Sequence, residues 1–182
     1  MRRCDWAKSE LDKAYHDEEW GKPLHGDDAI FELLILETMQ AGLSWSTVLV
    51  KRENFRQALD GFDYHLIATY DENKYTELLE NKGLIRNKLK IKSIINNAKA
   101  FLNVQKEWGS FDDYLWSFVD GKPILNKFKE ISQVPAKTEL SEKLAKDLKK
   151  RGFSFVGPVT CYAFMQAAGL TNDHLMDCDF RN

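Results

Sequence analysis

From Asn87 to Gln105 the apolar residues Ile91, Ile94, Ile95, Ala98, Phe101 and Leu102 recur at helical spacing, with lysines and asparagines opposite. A stripe of that period can be buried only as one face of an α-helix, so this stretch commits the chain to packing helix on helix. The punctuation on either side agrees. Asp27 and Asp28 suit a helix N-terminus, and the apolar run that follows ends at Gly42, a natural C-terminal glycine. Ser44 can cap a second helix carrying Trp45, Val48, Leu49, Phe55 and Leu59 up to Gly61. Asp63 to Thr69 reads as a short helix, and Asp71 can cap another bearing Tyr75, Leu78 and Leu79. Ser110 and Thr138 open two more, and the last helix has Pro158 in its first turn and Gly169 past its end. Met1 to Leu24 reads as irregular with one short helix, Ile124 to Pro135 as a loop, and no alternating strand pattern of useful length stands out. The expected fold is all-α, with about eight to nine helices.

A chain of 182 residues can bury one sizeable core. The longest apolar run, Ile30 to Leu36, is interrupted by Glu32 and falls short of the roughly 20 residues of a membrane span. The N-terminus has no apolar stretch after Arg2 and Arg3, so a cytoplasmic protein with no membrane partner is expected. Its formal net charge of −2 does not announce a nucleic-acid binder. Yet no acid stands between Glu80 and Glu107, where Lys82, Arg86, Lys88, Lys90, Lys92, Lys99 and Lys106 all fall. A local basic face survives an acidic total.

Three constellations could carry chemistry. On a helix the neighbours of Glu37 are Leu33, Leu34, Gln40 and Ala41, so its carboxylate points inward among apolar groups. A buried acid is tolerated where it is hydrogen-bonded or working, and both readings stay open on the pattern alone. Trp6, Tyr15, Trp20 and Trp45 join it as aromatic residues with little helical core around them. Such a pocket suits a flat, positively charged ring. Second, Cys4, His16, His174 and Cys178 form a Cys2His2 set split between the ends of the chain. They are either separate unliganded side chains or a closed, structural zinc site that fastens the termini. Cys161 reads as buried packing, and His25 and His65 as surface or loop histidines without a partner cluster. Third, Leu79 to Ile91 is a helix, a turn around Gly83 and a basic helix start, able to offer backbone N–H groups and lysines to a phosphate.

Cys4-Asp5-Trp6, Ala14 to Gly21, Leu36-Glu37 with Gln40 to Trp45, Lys51 to Phe55, Trp116 to Val119 and Lys149 to Gly157 together resemble the 3-methyladenine DNA glycosylase I family, collinearly from Arg3 to Cys178. The resemblance implies a single helix-hairpin-helix glycosylase domain over residues 1–182. It places a helical core at about 26–120, a hairpin near 79–92, and terminal segments 1–25 and 136–182 packed around a structural zinc on Cys4, His16, His174 and Cys178. It implies a monomer that flips a damaged nucleotide out of double-stranded alkylated DNA and hydrolyses the N-glycosidic bond of 3-methyladenine without strand cleavage. The implied base pocket is Trp6, Tyr15, Trp20, Glu37 and Trp45. Glu37, as the catalytic residue, accepts hydrogen bonds from the adenine edge, while Trp45 and Tyr15 stack on the ring's faces. Gly42 and Leu43 are placed as a wedge, and Gly83, Arg86, Lys88 and Lys90 as DNA contacts. Many relatives of that fold use an aspartate after the hairpin, but the helix from Asn87 to Lys106 carries no acid, and Asp112 and Asp113 come later. Two other classes compete: a zinc-tied helical module that binds distorted DNA without chemistry, and a helical domain for a small molecule or peptide. The buried Glu37 favours the enzyme over the first, and the basic run favours DNA over the second.

Overall fold

The computed structural model describes residues 1–181. Among them are nine α-helices: α1 (Glu10–Glu18), α2 (Asp27–Met39), α3 (Trp45–Ala58), α4 (Tyr64–Ile67), α5 (Glu72–Glu80), α6 (Lys88–Trp108), α7 (Phe111–Ser117), α8 (Glu139–Lys150) and α9 (Pro158–Ala167). The helices begin where short polar side chains can cap them. Ser44, Asp71, Asn87, Ser110 and Thr138 each accept a hydrogen bond from the backbone N–H three residues on. Ser9 and Asp12 form a reciprocal capping box on α1, so the N-terminal segment is better ordered than its polar composition implies.

The element at the centre is α2. It is buried from Ile30 to Met39 except at Glu32, and it packs against α3, α6, α7 and α9. A helix enclosed on all sides carries apolar residues on all sides, which is why this stretch shows no stripe. Glu32 escapes burial by pairing with Arg52 at 2.7 Å and Arg56 at 2.9 Å, both on α3. The α6 stripe docks on this core through Ile91, Ile94, Ala98 and Phe101. Both α8 and α9 join it as well, through Leu144, Leu148, Phe164 and Met165.

A second, smaller cluster of Cys4, Leu175 and Cys178, flanked by Trp6, Trp20 and Phe180, closes the two ends of the chain over each other. Backbone bonds tie Arg2 to Asp179 in both directions at 2.7 and 2.9 Å, the first through the Asp179 side chain. Arg3 grips Asp17 at 2.8 Å. Gly21 is needed at this seam. With φ of +79° it passes so close to the His174 ring that an added Cβ would lie 2.8 Å from a ring carbon.

The segment from Ile124 to Pro135 departs from the expected loop. It contains a strand, β1 (Ile124–Leu125), paired in parallel with β2 (Thr171–Asn172), and a 3-10 turn at Ile131–Gln133. Two residues leave no alternation to read, and the pairing is imposed by the chain returning from α9. His25 also has a partner, since its Nδ1 lies 2.9 Å from Asp112 and its ring stacks on Trp116. No helix among the described residues is long and apolar enough to cross a membrane.

Candidate active site

Where α1, the end of α2 and the start of α3 converge with the face of α9, they enclose a cavity of about 530 Å³. All of the aromatic and acidic residues expected there line it: Trp6, Tyr15, Trp20, Glu37 and Trp45. Glu37 is only 4% exposed and its Oε2 has no hydrogen-bond partner. Burial alone pushes its carboxyl up to about 8, so near neutral pH it holds its proton. Burial, and then the negative charge that Glu37 and Glu19 carry at high pH, drive the Tyr15 hydroxyl far above the ordinary tyrosine range, which keeps it a neutral hydrogen-bond donor.

Unpartnered buried polar side chains are rare in folded proteins, and each asks for an explanation. Among the described residues they are Trp6 Nε1, Tyr15 Oη, Glu37 Oε2 and Trp45 Nε1, and all four residues line this one cavity. Three donors and a carboxyl oxygen thus stand without a protein partner around one cavity.

The aromatic walls are arranged differently from the expected sandwich. Tyr15 and Trp45 adjoin with centroids 5.3 Å apart and planes at 48°, so they do not face one another across a gap that could admit a purine between them. Trp20 is shared with the terminal cluster, its ring edge-on to His174 at 4.7 Å and stacked on His16 at 6.0 Å.

Several cavity residues were not anticipated. Asp12, one turn before Tyr15, receives the Ser46 hydroxyl at 2.7 and 2.8 Å. Its spacing from Tyr15 is a helical one, so the shared face was open to recognition from the sequence. Asp173 also lines the cavity and is bonded by Tyr162, Gln166 at 2.9 Å, Thr171 at 2.6 Å and Asn126 at 2.7 Å. Thr171 is two residues away and Gln166 and Tyr162 lie on the preceding helix, while Asn126 reaches it from 47 residues away, a contact with no local signature. The aspartates weighed earlier are elsewhere: Asp112 takes the Gly26 N–H at 2.6 Å, and neither it nor Asp113 lines the cavity.

The Cys4, His16, His174 and Cys178 side chains are buried together, with one ligand atom from each lying within 4.8 Å of all the others. Cys178 Sγ is 3.4 Å from His174 Nδ1 and 3.6 Å from His16 Nε2, and Cys4 Sγ is 3.6 Å from His174 Nδ1. The outer nitrogens are held in turn, His16 Nδ1 by Asp17 at 2.8 Å and His174 Nε2 by the Trp20 carbonyl at 2.8 Å. Burial lowers the His174 imidazole to about 4, and burial raises the Cys4 thiol. Cys161 is separate and buried, donating to the Val156 carbonyl.

On the basic side, Gly42 turns the chain with φ of +77° and leaves Leu43 38% exposed at the tip between α2 and α3. Arg86 and Lys88 are exposed, and Asn54 on α3 donates to the Gly83 carbonyl at 3.1 Å, fixing the turn between α5 and α6. Lys90 does not belong with them. It is 5% exposed, and its ammonium donates to the Met39 and Ala41 carbonyls at 2.8 and 2.6 Å. The free carbonyls at the end of α2 outcompete solvent for it.

Fold and cavity together define a helical protein with an aromatic cavity lined by unpartnered polar groups. The methyladenine glycosylase family profile matches residues 6–182. The chain is 49% identical to a DNA-3-methyladenine glycosylase of Haemophilus influenzae, over 97% of this chain and 96% of that protein. It is 45% identical to DNA-3-methyladenine glycosylase 1 of Escherichia coli, over 98% and 96%. A crystal structure of 3-methyladenine DNA glycosylase I superposes with a TM-score of 0.96 at 49% identity, covering 98% of each chain. A variant of 3-methyladenine DNA glycosylase I in complex with 3-methyladenine superposes with a TM-score of 0.97 at 36% identity, covering 100% of this chain and 98% of that one. This chain belongs to the methyladenine glycosylase family.

Proposed function

We infer that this protein is a DNA-repair hydrolase that excises 3-methyladenine from alkylated DNA. The observation that carries the reading is the convergence of Trp6, Tyr15, Glu37 and Trp45, each with an unpartnered buried polar atom, on one aromatic cavity. A base still stacked in duplex DNA cannot reach such a site, so the nucleotide is flipped out, at a cost of a few kcal/mol that is least where methylation weakens pairing. N3-methylation leaves the base cationic and the glycosidic bond weak. The cavity then has to orient the base: Glu37 accepts from its edge, the Tyr15 hydroxyl and indole N–H groups donate, and the rings stabilise its charge. Water attacks the departing sugar. No lysine lines the cavity to form a Schiff base, which favours a monofunctional reaction without strand cleavage.

The α2–α3 turn with Leu43 and the α5–α6 turn with Gly83, Arg86 and Lys88 form the duplex-binding face, in a helix-hairpin-helix arrangement. Lys90 supports this by bonding the end of α2 from the first turn of α6, which holds the two turns together. Leu43 fills the gap left by the flipped base.

The terminal cluster fits zinc. Bonds of about 2.3 Å to sulfur and 2.0–2.1 Å to nitrogen in a tetrahedron put S and N about 3.5 Å apart, which matches the separations described above. Both histidines carry the outer hydrogen bonds that orient metal-bound imidazoles. Bound zinc would keep both thiols ionised and fasten the termini, with no open position for chemistry.

Release of free bases from methylated DNA tests the reading. The protein is expected to liberate 3-methyladenine, and Glu37→Gln to lower kcat/KM by about tenfold to a hundredfold, as loss of a charge-assisted hydrogen bond implies. Absence of 3-methyladenine release would refute the enzyme, and an unimpaired glutamine variant would refute the role given to Glu37.

A further inference from the structure

The cavity wall carries three carboxyl groups, Asp12, Glu37 and Asp173, and no lysine, arginine or histidine. Asp173 is surrounded by the side-chain donors of Tyr162, Gln166, Thr171 and Asn126. Asp12 is different. It is 4% exposed, and its oxygens receive only neutral donors, the Ser46 hydroxyl and the Ser9 N–H at 3.3 Å among them. No cationic side chain among the described residues pairs with it. A carboxylate held this way keeps its charge and lacks a counter-ion, on the wall of a cavity where a second acid, Glu37, has an oxygen without a partner.

We propose that Asp12 is a specificity-determining residue, the standing negative charge against which this cavity selects a cationic base over a neutral one. The inference rests on the glycosylase reading above. A 3-methylated adenine differs from adenine by one methyl group and one positive charge, and a single methyl discriminates weakly, so charge is the stronger handle. Burial opposes ionisation of Asp12, but the bonds from Ser46 and Ser9 outweigh it and hold the carboxyl below its usual range. Glu37, raised by burial to about 8, is mostly protonated near neutral pH. The two acids therefore divide the work: Asp12 provides the field, and Glu37 reads the base's edge. Ser46 directly follows Trp45, so the bond that holds Asp12 also ties α1 to the residue carrying an aromatic wall.

The test compares two ligands on the intact protein by calorimetry in mildly alkaline buffer: 3,9-dimethyladeninium, a fixed cation that mimics the methylated nucleoside, and 3-methyladenine, uncharged there. Asp12→Asn keeps the shape and can still accept the Ser46 hydroxyl. It is expected to reduce the preference for the cation by about tenfold, as loss of one nearby charge in a partly desolvated site implies, while Asp12→Glu retains it. Asp12→Ser gives the same readout should the asparagine variant not fold. An unchanged cation preference in the charge-free variants overturns the proposal. So does an equal loss of both ligands in the asparagine and glutamate variants, which would make Asp12 a brace between α1 and α3. Neither result touches the glycosylase reading, which stands or falls on release of 3-methyladenine by the unaltered protein.

Discussion

Glu37 costs the fold stability in order to be where it is. In the unfolded chain its carboxyl ionises near the ordinary glutamate value of 4.5, whereas in the folded protein burial raises it to about 8. Between those values the native state holds a proton that the unfolded state has released, so stability falls as pH rises through that window and levels off above it. Glu37→Gln has no such proton to hold. Urea unfolding should therefore show the variant gaining on the unaltered protein by on the order of a few kcal/mol between mildly acidic and mildly alkaline buffer, with little difference below the glutamate range. A constant difference across pH would mean that Glu37 is solvated or paired. That the residue would be buried was legible from Leu33, Leu34 and Ala41 around it. That Asp12 shares its cavity was legible from its helical spacing to Tyr15, whereas its bond to Ser46 joins two helices and has no local signal.

At the scale of elements, the helices were legible wherever a cap and a stripe coincide, because both are local. Ser44 opening α3, Asn87 opening α6 and Pro158 opening α9 all stand where the spacing puts them. What could not be read was made by tertiary contact: the β1–β2 pairing joins segments some 47 residues apart in sequence, and Lys90 leaves the basic face because the end of α2 is adjacent. Lys88 and Lys90 are neighbours in sequence with opposite fates. Lys90→Met should destabilise the fold by about 1–3 kcal/mol in urea unfolding, since the buried Met39 carbonyl and that of Ala41 lose their donor. It should also slow excision by loosening the end of α2, which carries Glu37, and the turn after it that carries Leu43. Lys88→Ala should leave stability within about 0.5 kcal/mol, weaken DNA binding, and reduce the slope of log affinity against log salt by about one. Reversed results would exchange the roles of the two lysines.

Taken whole, the molecule is a helical core whose two chain ends are joined beside the cavity. Cys4 and Leu175 belong both to the terminal cluster and to the cavity wall, and Trp6 and Trp20 bridge the two. Ordering the ends therefore shapes the site. Tertiary packing there is thin, with Arg2, Asp177 and Asp179 exposed and contributing the modest amounts typical of surface pairs. A metal on Cys4, His16, His174 and Cys178 would supply the cohesion that this small cluster lacks. Two measurements separate a zinc tie from simple packing. Metal analysis should find about one zinc per chain, falling sharply in Cys178→Ser, and a strong chelator should lower the unfolding free energy of the unaltered protein by at least ~2 kcal/mol while leaving that of the variant unchanged. Limited proteolysis should then cut first in the segments before α1 and after β2, where the chelated ends lose their anchor. Because the seam runs through Trp6 and Trp20, 3-methyladenine affinity should fall together with zinc content, and return when zinc is restored. Undiminished zinc in the serine variant would remove Cys178 from the ligand set. An unfolding curve indifferent to chelation would leave Cys4, His16, His174 and Cys178 as a packed but unliganded cluster, with the ends held by that packing, the Arg2 bonds to Asp177 and Asp179, and the His174 bond to the Trp20 carbonyl.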